Sequence, residues 1–488
     1  VHLRHDRVFH DGTAVTAADV VCTFRSIMDP ALGSPVAGEF ARRFAAVEAP
    51  SRFVARFVLR APLATFRSDL ILGIVPATTC AAPGMVLRLP IGAGPFRIVV
   101  QSGSEASTAA GLDSVMLERV DAAAAPMQPR RIVLRAIPDE GSRALSVLGG
   151  GADVALGLSP PVLRAAGEHR RGHIVATPGL AWSYLAFNLR HPVLADRRVR
   201  RALDVALDRD ALIATVLGGR ARAAATMQAP GHWAVDSALQ PRATDRSLAR
   251  AGLDAAGLGV DATGWRLSLR LLTSSTAQRR AEAEAIALQL APLGIRVEVR
   301  SLEVATLLAA VRAGHFDLFL LGLPEPGEPD YMAWMFHSDN AAQRRFEPAA
   351  ISPYARLDRA LPRPWPAAAD LARWPRCIAA TARARARALV ALGRTGAGLS
   401  THHGAGNRTG YSDPLVDCLL ELGQTASTQA ERAQLYREVG RRLHRDVPVL
   451  SLWHEDVVAL VGDRFDVPPP AADGRYASWA RARYRGRH

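Results

Sequence analysis

The sequence predicts an α/β fold built from more than one domain. At 488 residues the chain is too long for one compact core and should divide into two or three domains. Between residues 267 and 321 strand-like and helix-like segments alternate, which is typical of a parallel, doubly wound sheet. The hydrophobic fraction of 49% and the charged fraction of 22% are those of a globular protein. The sequence contains no run of about 18 apolar residues, so no membrane span is predicted.

The first part of the chain predicts a small α/β unit. Asp11-Gly12 is a turn pair, and Thr16 is a good N-cap for an amphipathic helix that ends at Asp29-Pro30. Residues 53–59 alternate in polarity as a strand does, and residues 97–100 form another strand after a Gly/Pro-rich turn. Because the chain opens within a strand-like pattern and without Met, we expect the start of this unit to be missing.

Alternating elements continue through the rest of the chain. Helices that end at Gly218, Gly294 and Gly314 have a residue suited to a left-handed cap. The predicted strands are 132–137, 153–156, 182–188, 267–272, 296–301, 317–321 and 447–454, and the predicted helices are 139–149, 196–204, 209–217, 277–293, 304–313 and 430–445. From about residue 340 to 406 the apolar residues follow neither the helical nor the strand periodicity. A Pro-rich run and an Ala/Arg run in this segment predict an irregular, disordered insertion.

The net charge of +14 first suggests nucleic acid or an anionic surface as a partner. The basic residues are all Arg, however, and they are scattered without interleaved stacking aromatics. This pattern favours a compositional bias, and we expect no nucleic-acid partner. The four cysteines form no CxxC pair, so a zinc knuckle is not predicted, and spacing alone does not pair them. Cys22, in an apolar helical run, is expected in the core.

An ordered series of short segments resembles a known family. The most recognisable runs from Phe187-Asn188 through Asp196 and Val199-Arg200-Arg201-Ala202-Leu203 to Ala206-Leu207-Asp208-Arg209. The other segments are Leu3-Arg4, Phe9-His10-Asp11-Gly12, Thr16-Ala17-Ala18-Asp19-Val20, Pro90 to Phe96, Gly294-Ile295, Gly314 to Asp317, Asn407 to Pro414, Asp417, Arg432 to Tyr436, and Pro448. Taken in this order, the chain resembles the extracellular solute-binding proteins of family 5, the receptors of peptide- and nickel-type ABC importers.

The resemblance implies a periplasmic-binding-protein-like fold of type II, cluster C, with two lobes joined by a hinge and an extra small α/β domain. The implied division is 1–130 for the extra domain, 131–228 with 459–488 for the first lobe, and 229–458 for the second lobe with the insertion at 340–406. It also implies a monomeric binding protein outside the cytoplasm, in the periplasm or as a cell-surface lipoprotein. Such a protein captures a peptide or similar small polar solute and delivers it to membrane permease subunits.

Ligand contacts are expected at the carboxyl ends of the second lobe's strands, where doubly wound sheets bind ligands. In dipeptide-type members an Asp in the loop after residues 317–321 holds the ligand's amino group. Glu325 falls nearest to that position here, with Glu328, Asp330 and Tyr331 close by. The alternative for these acids is a solvated loop.

A neighbouring strand end departs from the dipeptide-type pattern. Where those members have an Arg for the ligand carboxylate, this chain has Thr273-Ser274-Ser275. A free dipeptide carboxylate is therefore disfavoured, and the hydroxyls of Ser274 and Ser275 are candidate ligand contacts. Aromatic and amide side chains near the lobe crossover are further candidates, with core packing as an equal alternative; these are Trp182, Tyr184, Asn188 and Trp233.

No enzyme is predicted, because the sequence contains no G-x-S-x-G elbow, H-E-x-x-H motif or phosphate loop. We also expect no cofactor and no resident metal. A nickel, haem, metallophore or oligosaccharide receptor of the same family remains an alternative, although no His pair at a useful spacing lies in the expected cleft. The ligand-sensing domain of a transcription regulator is a second alternative, which the upstream coding sequence would distinguish.

Overall fold

The computed structural model describes residues 1–32, 34, 37–80, 91–103, 112–121, 128–324, 327–341, 372–377, 406–475 and 477–485. The helices of these residues are α1 Ala17–Met28, α2 Ala37–Arg43, α3 Phe66–Asp69, α4 Ala77–Cys80, α5 Glu140–Leu148, α6 Pro160–Gly167, α7 Arg197–Ala206, α8 Arg209–Val216, α9 Arg246–Ala255, α10 Ala277–Leu290, α11 Val304–Ala313, α12 Tyr331–Phe336, α13 Pro414–Thr425 and α14 Gln429–Asp446. None of them is long and apolar enough to cross a bilayer.

The strands fall into several sheets. They are β1 Phe44–Ser51, β2 Val54–Leu59, β3 Phe96–Gly103, β4 Leu112–Arg119, β5 Arg131–Arg135, β6 Val154–Leu156, β7 Gly172–Thr177, β8 Trp182–Phe187, β9 Ala221–Ala223, β10 Leu267–Ser274, β11 Ile295–Leu302, β12 Leu318–Leu323, β13 Val449–Glu455, β14 Val457–Gly462, β15 Phe465–Asp466 and β16 Arg483–Tyr484. The predicted elements of the described residues recur with bounds shifted by a few residues.

The N-terminal unit packs α1 and α2 against the β1–β2 hairpin. Thr16 caps α1 through a reciprocal capping box with Asp19, as its sequence predicts. The core is a cluster of aromatic rings that includes Phe24, Phe44 and Phe57, with Phe24 and Phe57 edge to face at 4.9 Å. The turn at residues 64–68 also reaches the distant α13, where Ala64 N donates to Gln424 O over 2.9 Å.

A six-stranded sheet forms the largest core, in the order β11-β10-β12-β8-β13-β9. Strand β10 runs parallel to β11 and β12, which confirms the predicted doubly wound part. The remaining pairs are antiparallel, so the sheet is mixed. Helices α7 to α10 cover one face and α11 to α14 the other. Because side chains alternate across a strand, β8 sends Leu185 to the first core and Tyr184 to the second.

The chain crosses twice between this sheet and the smaller sheet of order β6-β14-β7. Residues 178–181 join β7 to β8, and Asp456 alone joins β13 to β14. The implied division assigned residues 131–228 to the first lobe, and strand pairing places β8 and β9 of that range in the six-stranded sheet with β10 to β12. Sequence order does not reveal antiparallel partners that are far apart in the chain, and the lobe boundaries stay a prediction.

The four cysteines form two disulfides, Cys22–Cys80 and Cys377–Cys418. Cys22 was expected in the core, but it is only half-buried, and its sulfur is bonded to Cys80. Cys377 is buried beside α13 and fastens residues 372–377 to that helix. The rest of the insertion expected at 340–406, apart from 340–341 and 406, lies outside the described residues.

Candidate functional site

Polar side chains gather at one edge of the six-stranded sheet. The parallel strands β10 and β12 end here at Ser274 and Leu323, and the antiparallel strand β8 begins beside them at Trp182. Strand β13 ends at this edge too, because His454 pairs with Trp182. The carboxyl ends of the parallel strands and both connections to the smaller β6-β14-β7 sheet therefore meet at the same edge.

The two predicted hydroxyl contacts differ in exposure. Ser274, the last residue of β10, is 9% exposed, and its Oγ lies 3.4 Å from Oγ1 of Thr276. Ser275 is exposed. Thr276 caps α10 by accepting a hydrogen bond from the backbone N of Arg279. Ser275 is consequently the hydroxyl of this pair that solvent or a solute reaches.

Arg279 reaches the same edge, although sequence reasoning did not single it out. Its Nη1 donates to Ser183 Oγ over 2.9 Å and to Glu282 over 2.7 Å, and its Nη2 donates to Glu455 over 3.0 Å. The guanidinium also lies against Gly322 of β12, where a Cβ atom would stand 2.8 Å from Nη2. The sequence did contain a signal for this residue, because Arg279 lies in the first turn of the helix that follows the β10 strand end.

In this group one cation, Arg279, faces two carboxylates, those of Glu282 and Glu455. Burial alone would lower the pKa of Arg279, but Glu282 and Glu455 outweigh it and raise that pKa. Burial raises the pKa of Glu282, although Arg279 opposes the shift. Gln278 donates to both carboxylates, over 2.9 Å to Glu282 and 3.3 Å to Glu455. Arg279 is thus held by protein carboxylates, which compete with any carboxylate of a solute.

The acidic loop after β12 is anchored to α14. Arg432 pairs with Glu328 and donates to Asp330 over 3.1 Å, and the Tyr436 hydroxyl also donates to Asp330. Burial raises the pKa of Glu328, although Arg432 lowers it. The Ser68 hydroxyl of the N-terminal unit lies 3.4 Å from Glu328. These two predicted acids therefore hold the loop in place between separate parts of the chain.

Trp233 completes the same cluster. The Arg432 guanidinium carbon lies 5.2 Å from the Trp233 ring centroid, within cation–π range. Trp233 is half-buried and packs edge to face with Tyr436 at 6.3 Å. The neighbouring His232 bonds through Nε2 to the Gly327 carbonyl at 3.0 Å. The structure thus brings together Glu328, Asp330 and Trp233 of the predicted contacts.

Three other candidates are buried. Trp182 and Tyr184 are 1% and 3% exposed and stack on each other at 4.4 Å. Burial raises the pKa of Tyr184 to about 12. Asn188 is fully buried, and its Nδ2 donates to the carbonyls of Gly314 and Phe316. Each has a packing or loop-fastening role here, and a ligand contact for any of them remains a prediction.

Tyr331 is exposed, with 44% of its surface accessible. Trp334 lies one helical turn further along α12 and is 40% exposed, with the Arg408 guanidinium carbon 5.5 Å from its ring centroid. The two aromatic side chains share a helix face because their spacing is i, i+3. Glu325 lies outside the described residues. Among the described residues, no group of three or more His, Cys, Asp or Glu is arranged to hold a metal ion.

Known proteins resemble the chain along most of its length. It is 24% identical over 94% of its length to a Pseudomonas aeruginosa protein called "Probable di/tripeptide-binding protein 5", of which the match covers 78%. It is 26% identical over 97% of its length to Protein XP55 of Streptomyces lividans, of which the match covers 76%. The match to the dipeptide-binding protein of Escherichia coli is 25% identical, over 58% of this chain and 53% of that one.

Solved structures share the fold. The ABC transporter substrate-binding protein CtaP of Listeria monocytogenes superposes with a TM-score of 0.75 at 17% identity, covering 99% of this chain and 87% of CtaP. NikA of Brucella suis, solved with Fe(III)-EDTA, gives a TM-score of 0.75 at 21% identity, covering 99% of this chain and 87% of NikA. The resemblance confirms the type II solute-binding fold.

A family model supplies the remaining evidence. The model described as "Bacterial extracellular solute-binding proteins, family 5 Middle" matches residues 1–343, well over half of the chain. Proteins of this family are extracytoplasmic components of ABC importers. The chain therefore belongs to the bacterial extracellular solute-binding proteins of family 5.

Proposed function

We propose that the chain is the substrate-binding component of an ABC importer. It captures a peptide or similar small polar solute in a cleft between its lobes and passes the closed complex to a membrane permease. The observation that carries the proposal is the meeting of the β10 and β12 carboxyl ends with the two inter-lobe connections at one polar sheet edge. Closure about those connections would enclose a solute bound at that edge. We place the protein in the periplasm or on the cell surface as a lipoprotein.

The proposed solute is a peptide because relatives are called dipeptide- and di/tripeptide-binding proteins. Its proposed contacts are the exposed hydroxyl of Ser275 and the exposed ring of Tyr331, with Glu325 as the acid for an amino group. A free carboxylate is disfavoured at this edge, since Arg279 is already paired with Glu282 and Glu455. Hydrogen bonds to peptide groups would then supply most of the specificity.

Isothermal titration calorimetry on the full chain tests the proposal. The panel contains short peptides with free and amidated carboxyl ends, oligosaccharides and nickel chelates. We expect saturable binding of peptides, with the amidated forms binding at least as tightly as the free acids. If the folded protein bound none of the panel, the proposed function would be wrong. Binding confined to sugars or chelates would overturn the peptide assignment and keep the receptor assignment.

A further inference from the structure

A cavity of about 40 Å³ lies beside strands β8 and β13 and helix α14. Its wall is mostly apolar and includes Met227, but it also carries Trp182, Asp204, Arg209, Arg242 and His444. By this measure a water molecule requires roughly 10–15 Å³, so the cavity has room for a monatomic ion together with water. No step of the proposed solute capture uses this cavity.

The charged groups in the wall leave an excess positive charge. The carboxylate of Asp204, 4% exposed, pairs with two guanidinium groups, those of Arg209 and Arg242, whose side chains are 5% and 17% exposed. Burial and the nearby Arg242 lower the pKa of His444, which is therefore neutral at neutral pH. Two cations thus face one anion inside the lobe, and unbalanced charge at low dielectric is costly.

Hydrogen bonds fix both guanidinium groups in position but do not use all of their N–H donors. Arg209 donates to Ser451 O over 2.9 Å and to Asp204, and Arg242 donates to Asp204 and to His444 O. A guanidinium has about five N–H donors. Within the described part of the chain, these bonds and the one from Arg209 to the Asp204 carbonyl use three donors of Arg209 and two of Arg242.

The indole of Trp182 provides an independent observation. Trp182 lines the cavity and is 1% exposed, yet its Nε1–H has no hydrogen-bond partner among the residues that the structure describes. The indole nitrogen only donates, so its partner must be an acceptor. Buried donors are nearly always paired. An acceptor in the cavity would therefore give the Trp182 indole N–H its missing hydrogen-bond partner. If that acceptor were negatively charged, it would also neutralise the excess positive charge.

We infer that this cavity is a binding site for a small inorganic monoanion of the size of chloride. A water molecule could accept from the Trp182 indole but would not neutralise the surplus guanidinium charge. The small volume favours a monatomic ion over an organic acid. The bound ion would tie β8 to the Asp204–Arg242 cluster and so rigidify the second lobe. The inference does not depend on which solute the cleft binds.

Halide titration of the full chain tests the inference. Chloride replaces gluconate at constant ionic strength, and thermal unfolding is followed at each concentration. We expect a saturable rise in the unfolding temperature, and an apparent halide affinity at least tenfold weaker in Trp182→Phe, which keeps an aromatic side chain and removes the donor. The matched control is Trp453→Phe, because Trp453 is also fully buried with an unpaired Nε1 among the described residues but does not line the cavity.

Crystals of the wild-type protein grown in bromide keep the test decisive if a variant fails to fold. An anomalous bromide peak beside Trp182 and Arg242 would support the site. Absence of a peak in the cavity at saturating bromide would overturn it. An equal loss of the halide response in both tryptophan variants would also overturn it, since only Trp182 lines the cavity.

Discussion

Arg432 and Asp330 are joined by a hydrogen bond of 3.1 Å that ties the loop after β12 to helix α14. The same guanidinium pairs with Glu328, and Arg432 is only 7% exposed. A buried cation between two carboxylates stabilises a fold chiefly because its removal leaves those carboxylates uncompensated. The loop that was expected to offer acids to a solute is therefore positioned by an internal ion pair.

Replacing Arg432 with Met should destabilise the protein. The substitution keeps the length of the side chain and leaves Glu328 and Asp330 without their cation, and we expect a loss of roughly 3 kcal/mol in the free energy of unfolding. Urea denaturation measures it. The control is Arg437→Met, because Arg437 lies on the exposed face of α14 and donates only to the Trp233 carbonyl among the described residues. A change within about 0.5 kcal/mol is expected there, and equal losses would refute the anchoring role.

Gly179, in the connection from β7 to β8, should not tolerate a side chain. A Cβ at this position would collide with the carbonyl oxygen of Glu455, the last residue of β13 and the neighbour of the second connection, Asp456. Gly179→Ala should therefore push the two connections apart and lower the unfolding temperature by several degrees. It should also change the radius of gyration measured by small-angle X-ray scattering. The control is Gly259→Ala, where a Cβ meets nothing within 4 Å. Identical behaviour of the two variants would show that the close approach is unimportant.

Local signals in the sequence predicted local structure well. Gly294 and Gly314 adopt left-handed angles with φ of 75° and 76° at helix ends, as expected for glycine caps. The alternation of strands and helices predicted the parallel set of β10, β11 and β12 for the same reason: neighbouring elements in sequence pack together. The placement of β8 and β13 between distant partners had no local signal, because antiparallel pairing across long separations leaves no periodic trace.

The candidate site was less predictable than the fold. Trp182 and Tyr184 resemble cleft aromatics in sequence, yet every residue of β8 is buried because both faces of the sheet are covered. A central strand covered on both sides shows no polar alternation, so composition alone does not tell core from cleft. Arg279 and Arg432 were missed as site residues because an Arg-rich chain offers many candidates, and only the tertiary structure selects those that meet carboxylates.

Asp417 should make stability depend on pH. Burial raises its pKa to about 6, although His337 and Ser338 favour the charged form. Because the folded-state pKa lies above the ordinary value of 3.8, the folded protein favours the protonated carboxyl, and this contribution to stability is lost as pH rises from about 4 to about 6. In Asp417→Asn the side chain stays neutral. Urea unfolding should show this variant gaining up to about 3 kcal/mol over wild type between pH 4 and pH 7.

Asp236 provides the contrasting case for that experiment. Its hydrogen bond with Arg441 lowers its pKa, so the carboxylate stabilises the fold at neutral pH and stops doing so as pH falls through the lowered value. Asp236→Asn should thus lose stability at pH 7 and recover it in acid, the reverse of Asp417→Asn. Parallel pH profiles for the two variants would refute the role assigned to Asp417.

A substitution at Tyr331 should affect solute binding and leave stability almost unchanged. Its side chain is 44% exposed at the start of α12, directly after the loop that Arg432 anchors. Tyr331→Ala should weaken binding of the solute found by calorimetry about tenfold, which corresponds to about 1.4 kcal/mol. The free energy of unfolding should change by less than about 0.5 kcal/mol, because an exposed ring contributes little to the core. The matched control is Tyr484→Ala, since Tyr484 is 50% exposed in the two-stranded β15–β16 sheet. Unchanged affinity in Tyr331→Ala, or an equal loss in the control, would remove Tyr331 from the proposed site.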